Sequence, residues 1–169
     1  PIESHDRAED LVDEPSKMIR SLDQMEMKKL KSAQTKTRPW SDSYWPFYQG
    51  GLGNRYMDPE FESYQWDEAK NYVTKRPAAK LIEENRVELL SPSEKYDFLL
   101  GLSQFPLTAS SWNDGGVYFR NYGRVESWMG YCHGWAPASY MMAEPKKKIS
   151  VKTANGEIPF NPSDVKALT

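Results

Sequence analysis

The stretch Glu126-Ser127-Trp128-Met129-Gly130-Tyr131-Cys132-His133-Gly134-Trp135-Ala136-Pro137-Ala138-Ser139-Tyr140 holds the only cysteine of the chain, one of its two histidines and two of its six tryptophans. Pro137 lacks an N–H, so it is tolerated without loss only in the first turn of a helix, where no donor is needed. That rule predicts a helix starting between Gly134 and Pro137, with Cys132 at or just before its N-cap. A thiol in such a position meets the positive end of the helix dipole and unpaired N–H groups, which favour the reactive thiolate. A single cysteine among aromatics is also the pattern of a buried, inert thiol. Gly130 and Gly134 on either side favour a segment that another backbone, a substrate's for instance, can approach closely.

Working outward, 169 residues suffice for one domain with a real core and give no case for two full ones. A net charge of −2 offers no electrostatic footprint for nucleic acid or for a membrane surface. No run reaches the length of a membrane span, and no basic-then-apolar leader is visible. One cysteine excludes an internal disulfide framework. Aromatic residues make up 13% of the chain, and packing in a core is the default for them, with the rim of a binding cleft as the sharper alternative.

Residues 1–14 read as a loose acidic arm. Asp13 is expected to cap a helix running to about Ala33, with Met18, Leu22, Met25 and Leu30 as a core-facing stripe. Thr35 to Pro39 is a polar linker, so residues 1–35 form an arm and amphipathic helix ahead of a main body over 36–169. Trp40 to Tyr56 is a segment of turns and aromatics. Its glycines Gly50, Gly51 and Gly53 do not match a phosphate loop, since no strand leads in and no Lys-Ser/Thr follows. Trp66 to Arg76 fits a short helix ended by Pro77, and Lys80 to Leu90 a helix with an extended exit. Ser91-Pro92-Ser93-Glu94 is a capping box with Pro at the first helical position, opening a helix to about Leu102 whose apolar positions are Tyr96, Leu99 and Leu100. Asn113-Asp114-Gly115-Gly116 reads as a turn leading to a short strand or loop. Ile149 to Thr153 and Glu157 to Phe160 read as a hairpin turning at Asn155-Gly156. Asn161-Pro162-Ser163-Asp164 reads as a capped helix start close to Thr169, which suggests one piece of a longer, processed precursor. The class expected is α+β: several helices with a small antiparallel sheet, rich in loops, with Cys132 at a helix N-terminus in the papain and transglutaminase manner.

The run Glu126 to Ser139 resembles the nucleophile segment of the transglutaminase elicitor family, secreted transglutaminases of plant-pathogenic oomycetes with relatives in marine Vibrio bacteria. Trp40-Ser41-Asp42-Ser43-Tyr44-Trp45-Pro46, Ser91-Pro92-Ser93-Glu94-Lys95-Tyr96-Asp97 and Glu144-Pro145-Lys146-Lys147-Lys148-Ile149 resemble further blocks of it, from about Trp40 onward. The resemblance implies a secreted enzyme in which Cys132 attacks a protein-bound glutamine and a lysine amine resolves the thioester into an isopeptide crosslink. His133, Trp128, Tyr131 and Trp135 are the candidates to line the cleft or the oxyanion site.

A thiol transferase also needs a base and a group to orient it. His133 is adjacent to Cys132, which normally points the two side chains apart, and His5 lies in the arm. In the resembled family the His and Asp lie downstream of the Cys, and no histidine follows His133. A second chain of the same precursor is therefore expected to supply them, with residues 1–35 open to an inhibitory role before processing. One Cys and one adjacent His make no metal-ligand set; no cofactor is required, and a calcium requirement stays open. Two other functions stand beside this one. A cysteine protease or amidase would use the same nucleophile, and a non-enzymatic elicitor or binding module would use the aromatics alone.

Overall fold

The computed structural model describes residues 14–153 and 156–169. The chain divides between Arg38 and Pro39 into two compact units. Asp13, His5 and the turn residue Asn155 lie outside the described residues.

The continuous helix expected up to Ala33 is not formed. A 3-10 turn spans Pro15–Lys17, and the backbone is extended at Met18. Helix α1 then occupies only Leu22–Met27, with the Ser21 hydroxyl accepting the Gln24 N–H at 3.5 Å. Serine offers the backbone a cap where periodicity alone predicts an uninterrupted turn, and Lys29 at φ 57° ends the helix in a left-handed conformation. No residue of α1 is buried, so the methionine stripe does not act as a core-facing edge within this unit.

The second unit is α+β, as the sequence predicts. It runs through 3-10 turns Phe47–Gln49 and Gly51–Gly53, then α2 (Trp66–Lys75), α3 (Ala78–Glu83), the 3-10 turn Val87–Leu89, α4 (Pro92–Leu99), α5 (Pro106–Tyr122), α6 (Cys132–Met141), β1 (Ile149–Thr153), β2 (Gly156–Phe160) and α7 (Pro162–Ala167). The two strands pair antiparallel with Ile149 opposite Phe160 and Val151 opposite Ile158. Ile158 and Phe160 are buried while β1 stays largely exposed, so the hairpin has one wet side. Among the described residues no helix is long and apolar enough to cross a membrane.

Among the described residues two apolar clusters stand out in the core. Phe61, Ala69, Val73 and Trp112 gather between α2 and α5, with Trp66 and Tyr72 against them. Ala78, Leu81, Leu89 and Leu90 form the other, closed by Ile82, Phe98 and Phe105. Helix α5 overturns the reading of Asn113 to Gly116 as a turn, because both glycines lie buried in its interior. A glycine there costs about 1 kcal/mol of helix propensity, but it lets a neighbour come close. A Cβ on Gly115 would stand 2.5 Å from the Phe47 carbonyl oxygen and 2.6 Å from Trp66 Cδ1. Gly115→Ala is therefore expected to lose about 1–3 kcal/mol despite its better propensity, read as a lower urea midpoint. An unchanged midpoint would show that α2 and the Phe47 turn can move away.

Helix α4 inverts its expected faces. Ser91 and Glu94 form the capping box, and the helix stops at Leu99, short of Leu102. The apolar positions Tyr96 and Leu100 are exposed, however, and Ser93, Glu94, Lys95 and Asp97 are buried. The charged face is stable inside because every charge is met. Glu94 accepts two hydrogen bonds from Arg55, at 2.9 and 2.6 Å, and a third from the Ser91 N–H at 2.9 Å. Lys95 Nζ lies 2.6 Å from Asp164 Oδ2. Asp97 caps the next helix, accepting the N–H groups of Leu107 and Thr108 at 3.1 and 2.9 Å and the Thr108 hydroxyl at 2.8 Å. That external cap serves a helix whose own N-cap, Phe105, has no polar side chain and sits at φ 47°. The polar face of α4 thus ties the aromatic segment, α5 and α7 to one pillar.

Candidate active site

Helix α6 begins at Cys132, two residues before the earliest start that Pro137 suggests, and Pro137 sits inside it. Tertiary contacts decide this. The Tyr131 N–H donates to the Tyr44 carbonyl at 2.9 Å and the Phe47 N–H to the Met129 carbonyl at 2.9 Å, while Gly130 bridges Pro46. An isolated antiparallel bridge after a turn pins Gly130 in place, so the helix starts at once after Tyr131, and one internal hydrogen bond is given up at Pro137. Gly130 serves that pinning, since a Cβ there would stand 2.4 Å from the Tyr44 carbonyl oxygen. Gly134 differs: a Cβ there meets nothing within 4 Å, so its face of the helix is open.

Cys132 is exposed, which removes the reading of a buried, inert thiol. It is the first residue of α6, and the N-cap Tyr131 makes no side-chain cap on this helix. His133 follows as the second helical residue; it is exposed, with its ring 6.3 Å from that of Tyr131. Trp128 is 71% exposed. Tyr131 and Trp135 are half-buried and face a common cavity of about 130 Å³, walled also by Trp45, Leu52, Gly134 and Lys166. The structure thus brings Tyr131 and Trp135 together beside the Cys132 turn and leaves Trp128 and His133 on the surface.

Tyr131 holds this turn in place. Its hydroxyl donates to Asp114 and lies 3.3 Å from Ser111 Oγ, and its ring packs edge-on against Phe47 at 4.9 Å. Ser111 in turn donates to the Gly50 carbonyl at 2.9 Å and accepts the Leu52 N–H at 2.8 Å. Gly51 allows this meeting, because a Cβ there would lie 2.5 Å from the Tyr131 ring. Sequence reasoning missed Asp114 and Ser111 by placing Asp114 in a turn. Helical spacing of Ser111, Asp114 and Val117 to Tyr118 was the signal available for them.

Burial, reinforced by the hydrogen bond to Asp114, raises the pKa of the Tyr131 phenol well above the ordinary tyrosine value. A group whose folded-state pKa is raised contributes stability that is complete below its unfolded value, near 10, and that is lost as pH rises through its folded value. Stability is therefore expected to fall from about pH 10 upward, and Tyr131→Phe is expected to flatten that fall while costing about 1 kcal/mol at neutral pH. Urea titrations at neutral and alkaline pH check both signs. An alkaline slope identical in the variant would place the coupling elsewhere.

Among the described residues no group of three or more His, Cys, Asp and Glu side chains is arranged to hold a metal ion. An exposed thiol opening an uncapped helix is chemically suited to act as a nucleophile on a carbonyl carbon. Residues 16–169 match a family model described as Transglutaminase elicitor, and the chain belongs to that family. No curated protein and no solved structure matches it.

Proposed function

We propose that the chain carries the nucleophile of a protein-glutamine γ-glutamyltransferase. The observation that carries this reading is the exposed Cys132 as first residue of the uncapped helix α6, in a chain of the transglutaminase elicitor family. The Cys132 thiolate adds to the side-chain carboxamide carbon of a protein-bound glutamine. The tetrahedral intermediate collapses to a thioester, and the amide nitrogen leaves as ammonia after taking up a proton. A lysine amine then attacks the thioester carbon, forms the isopeptide bond, gives up a proton and releases the thiolate. Backbone N–H groups of the first turn of α6 are suited to hold the oxyanion.

The chain contains only His5 and His133, and the base and orienting acid are assigned in this proposal to the His and Asp of a second chain of the same precursor. Secretion and action outside the cell are part of the same proposal and rest on the elicitor half of the family description. The test is incorporation of a fluorescent primary amine into a glutamine-containing protein by the natively purified material. Incorporation with release of ammonia is expected. Hydrolysis of peptide or amide bonds without amine incorporation would make it a protease or amidase instead. Neither activity, with Cys132 slow to alkylate, would leave a non-enzymatic elicitor module.

A further inference from the structure

Among the described residues β1 pairs with β2 and with no other strand, so β1 is a sheet edge. Pro159 sets the phase of the ladder between them. It has no N–H to give, so its pair with Ser150 is of the kind that exchanges no hydrogen bonds, and the bonds run at Ile149–Phe160 and Val151–Ile158. The N–H and C=O groups of Ser150 and Lys152 therefore point away from β2. Neither N–H meets a carbonyl oxygen among the described residues, and both residues are exposed. The far edge of β2 differs, because Pro159 turns its nitrogen to that side and a strand there would lack a donor. The outer edge of β1 keeps its donors and acceptors intact.

The side chains point the same way. Ile149, Val151, Ile158 and Phe160 share one face of the hairpin. On that face Ile158 is 0% and Phe160 4% exposed, whereas Ile149 is 48% exposed. The apolar surface thus runs past its cover on the β1 side, and a two-stranded hairpin is marginal until a third strand or another layer covers it. Charge decides the occupant. Lys147, Lys148 and Lys152 are exposed and form no ion pair among the described residues, while Lys146 is held by Glu144 at 3.2 Å. Glu157, across from Lys152, is the only carboxylate in the sequence from Lys146 to Phe160, so positive charge prevails along this edge. Lysines on an edge repel a second copy of the same edge and attract carboxylates. A strand that suits both faces of β1 sets apolar side chains beside Ile149 and Val151 and acidic ones beside Ser150 and Lys152.

We infer that β1 is a docking edge for an extended segment of another polypeptide in which acidic and apolar residues alternate, added to the hairpin as a third strand. The docking does not depend on the chemistry of Cys132. The probe is the peptide acetyl-Glu-Val-Glu-Val-Glu-Val-amide, titrated into the full ¹⁵N-labelled chain. Saturable amide shifts centred on β1 are expected, with solvent exchange of the Ser150 and Lys152 amides slowed about tenfold or more. The same residues in blocked order, acetyl-Glu-Glu-Glu-Val-Val-Val-amide, and the alternating Lys-Val peptide are expected to bind about tenfold or more weakly. Ser150→Pro removes an outward N–H without touching the ladder to β2, and is expected to abolish binding. Lys152→Glu changes an exposed side chain, so it serves even should the proline variant not fold, and is expected to weaken binding about tenfold. No saturable binding, equal binding of the blocked or Lys-Val peptide, slowed exchange elsewhere than at Ser150 and Lys152, or binding unaltered by Lys152→Glu would overturn the assignment.

Discussion

Replacing Asp164 with alanine is expected to destabilise the unit from Pro39 onward by about 3–5 kcal/mol, the range for breaking a buried ion pair by removing one partner. Asp164 and Lys95 are both 0% exposed, so the variant leaves an ammonium in the interior with no water and no carboxylate. Burial already lowers the Lys95 pKa, and Asp164 is the main opposing influence. The same carboxylate accepts the Asn161 N–H at 2.7 Å, opening α7, and the Tyr56 hydroxyl at 3.1 Å. Three contacts therefore fail together, and α7 loses both its cap and its anchor on α4. Urea unfolding gives the number. Adding Lys95→Met to Asp164→Ala is expected to recover a large part of the loss, since the stranded charge goes while the apolar stem remains. A loss under about 1 kcal/mol for the single variant would mean that α7 does not depend on this pair.

Cys132→Ser is expected to lower amine incorporation by about 10³-fold or more while leaving the unfolding free energy in urea within about 0.5 kcal/mol of the parent. The two halves of this expectation have separate physical grounds. Serine keeps the shape but holds its proton far more tightly than a thiol, so the population of attacking anion collapses at neutral pH. The fold is spared because Cys132 is exposed and forms no disulfide. The helix is held instead by the backbone bridge at Gly130, by Tyr131 on Asp114, and by Ser139, buried on its inner face, whose carbonyl accepts the Trp40 N–H at 3.3 Å. Incorporation that survives in the variant would move the chemistry to another residue.

What could be read in the sequence was local. The box at Ser91 and Glu94 and the Asn161 to Asp164 start rest on contacts within a few residues and appear where the pattern places them, while the hairpin forms with Gly156 already in β2 opposite Thr153 rather than in the turn. Helix α5 was illegible because Asn-Asp-Gly-Gly has turn chemistry, and only the close approach of Trp66 and Phe47 explains glycines in a helix. The charged face of α4 was illegible for a related reason. Arg55 and Asp164, which make its burial tolerable, lie 39 and 69 residues away in the chain. Near Cys132 the helix start was legible from Gly134 and Pro137 to within two residues. The position of Cys132 at the head of α6 was set by Tyr44 and Pro46, which no rule of helix starts includes. The methionine stripe before Ala33 shows the converse, a helical period that short-range capping by Ser21 interrupts.

The most direct test of a reactive Cys132 is its alkylation rate with iodoacetamide at neutral pH, followed by intact mass in the folded chain and in the same chain unfolded in urea. An exposed thiol at the head of α6 predicts that the folded chain alkylates at least as fast as the unfolded one, because the fold leaves the sulfur open to the reagent. A folded chain that alkylates more slowly than the unfolded chain would contradict the nucleophile assignment, and with it the proposed transferase.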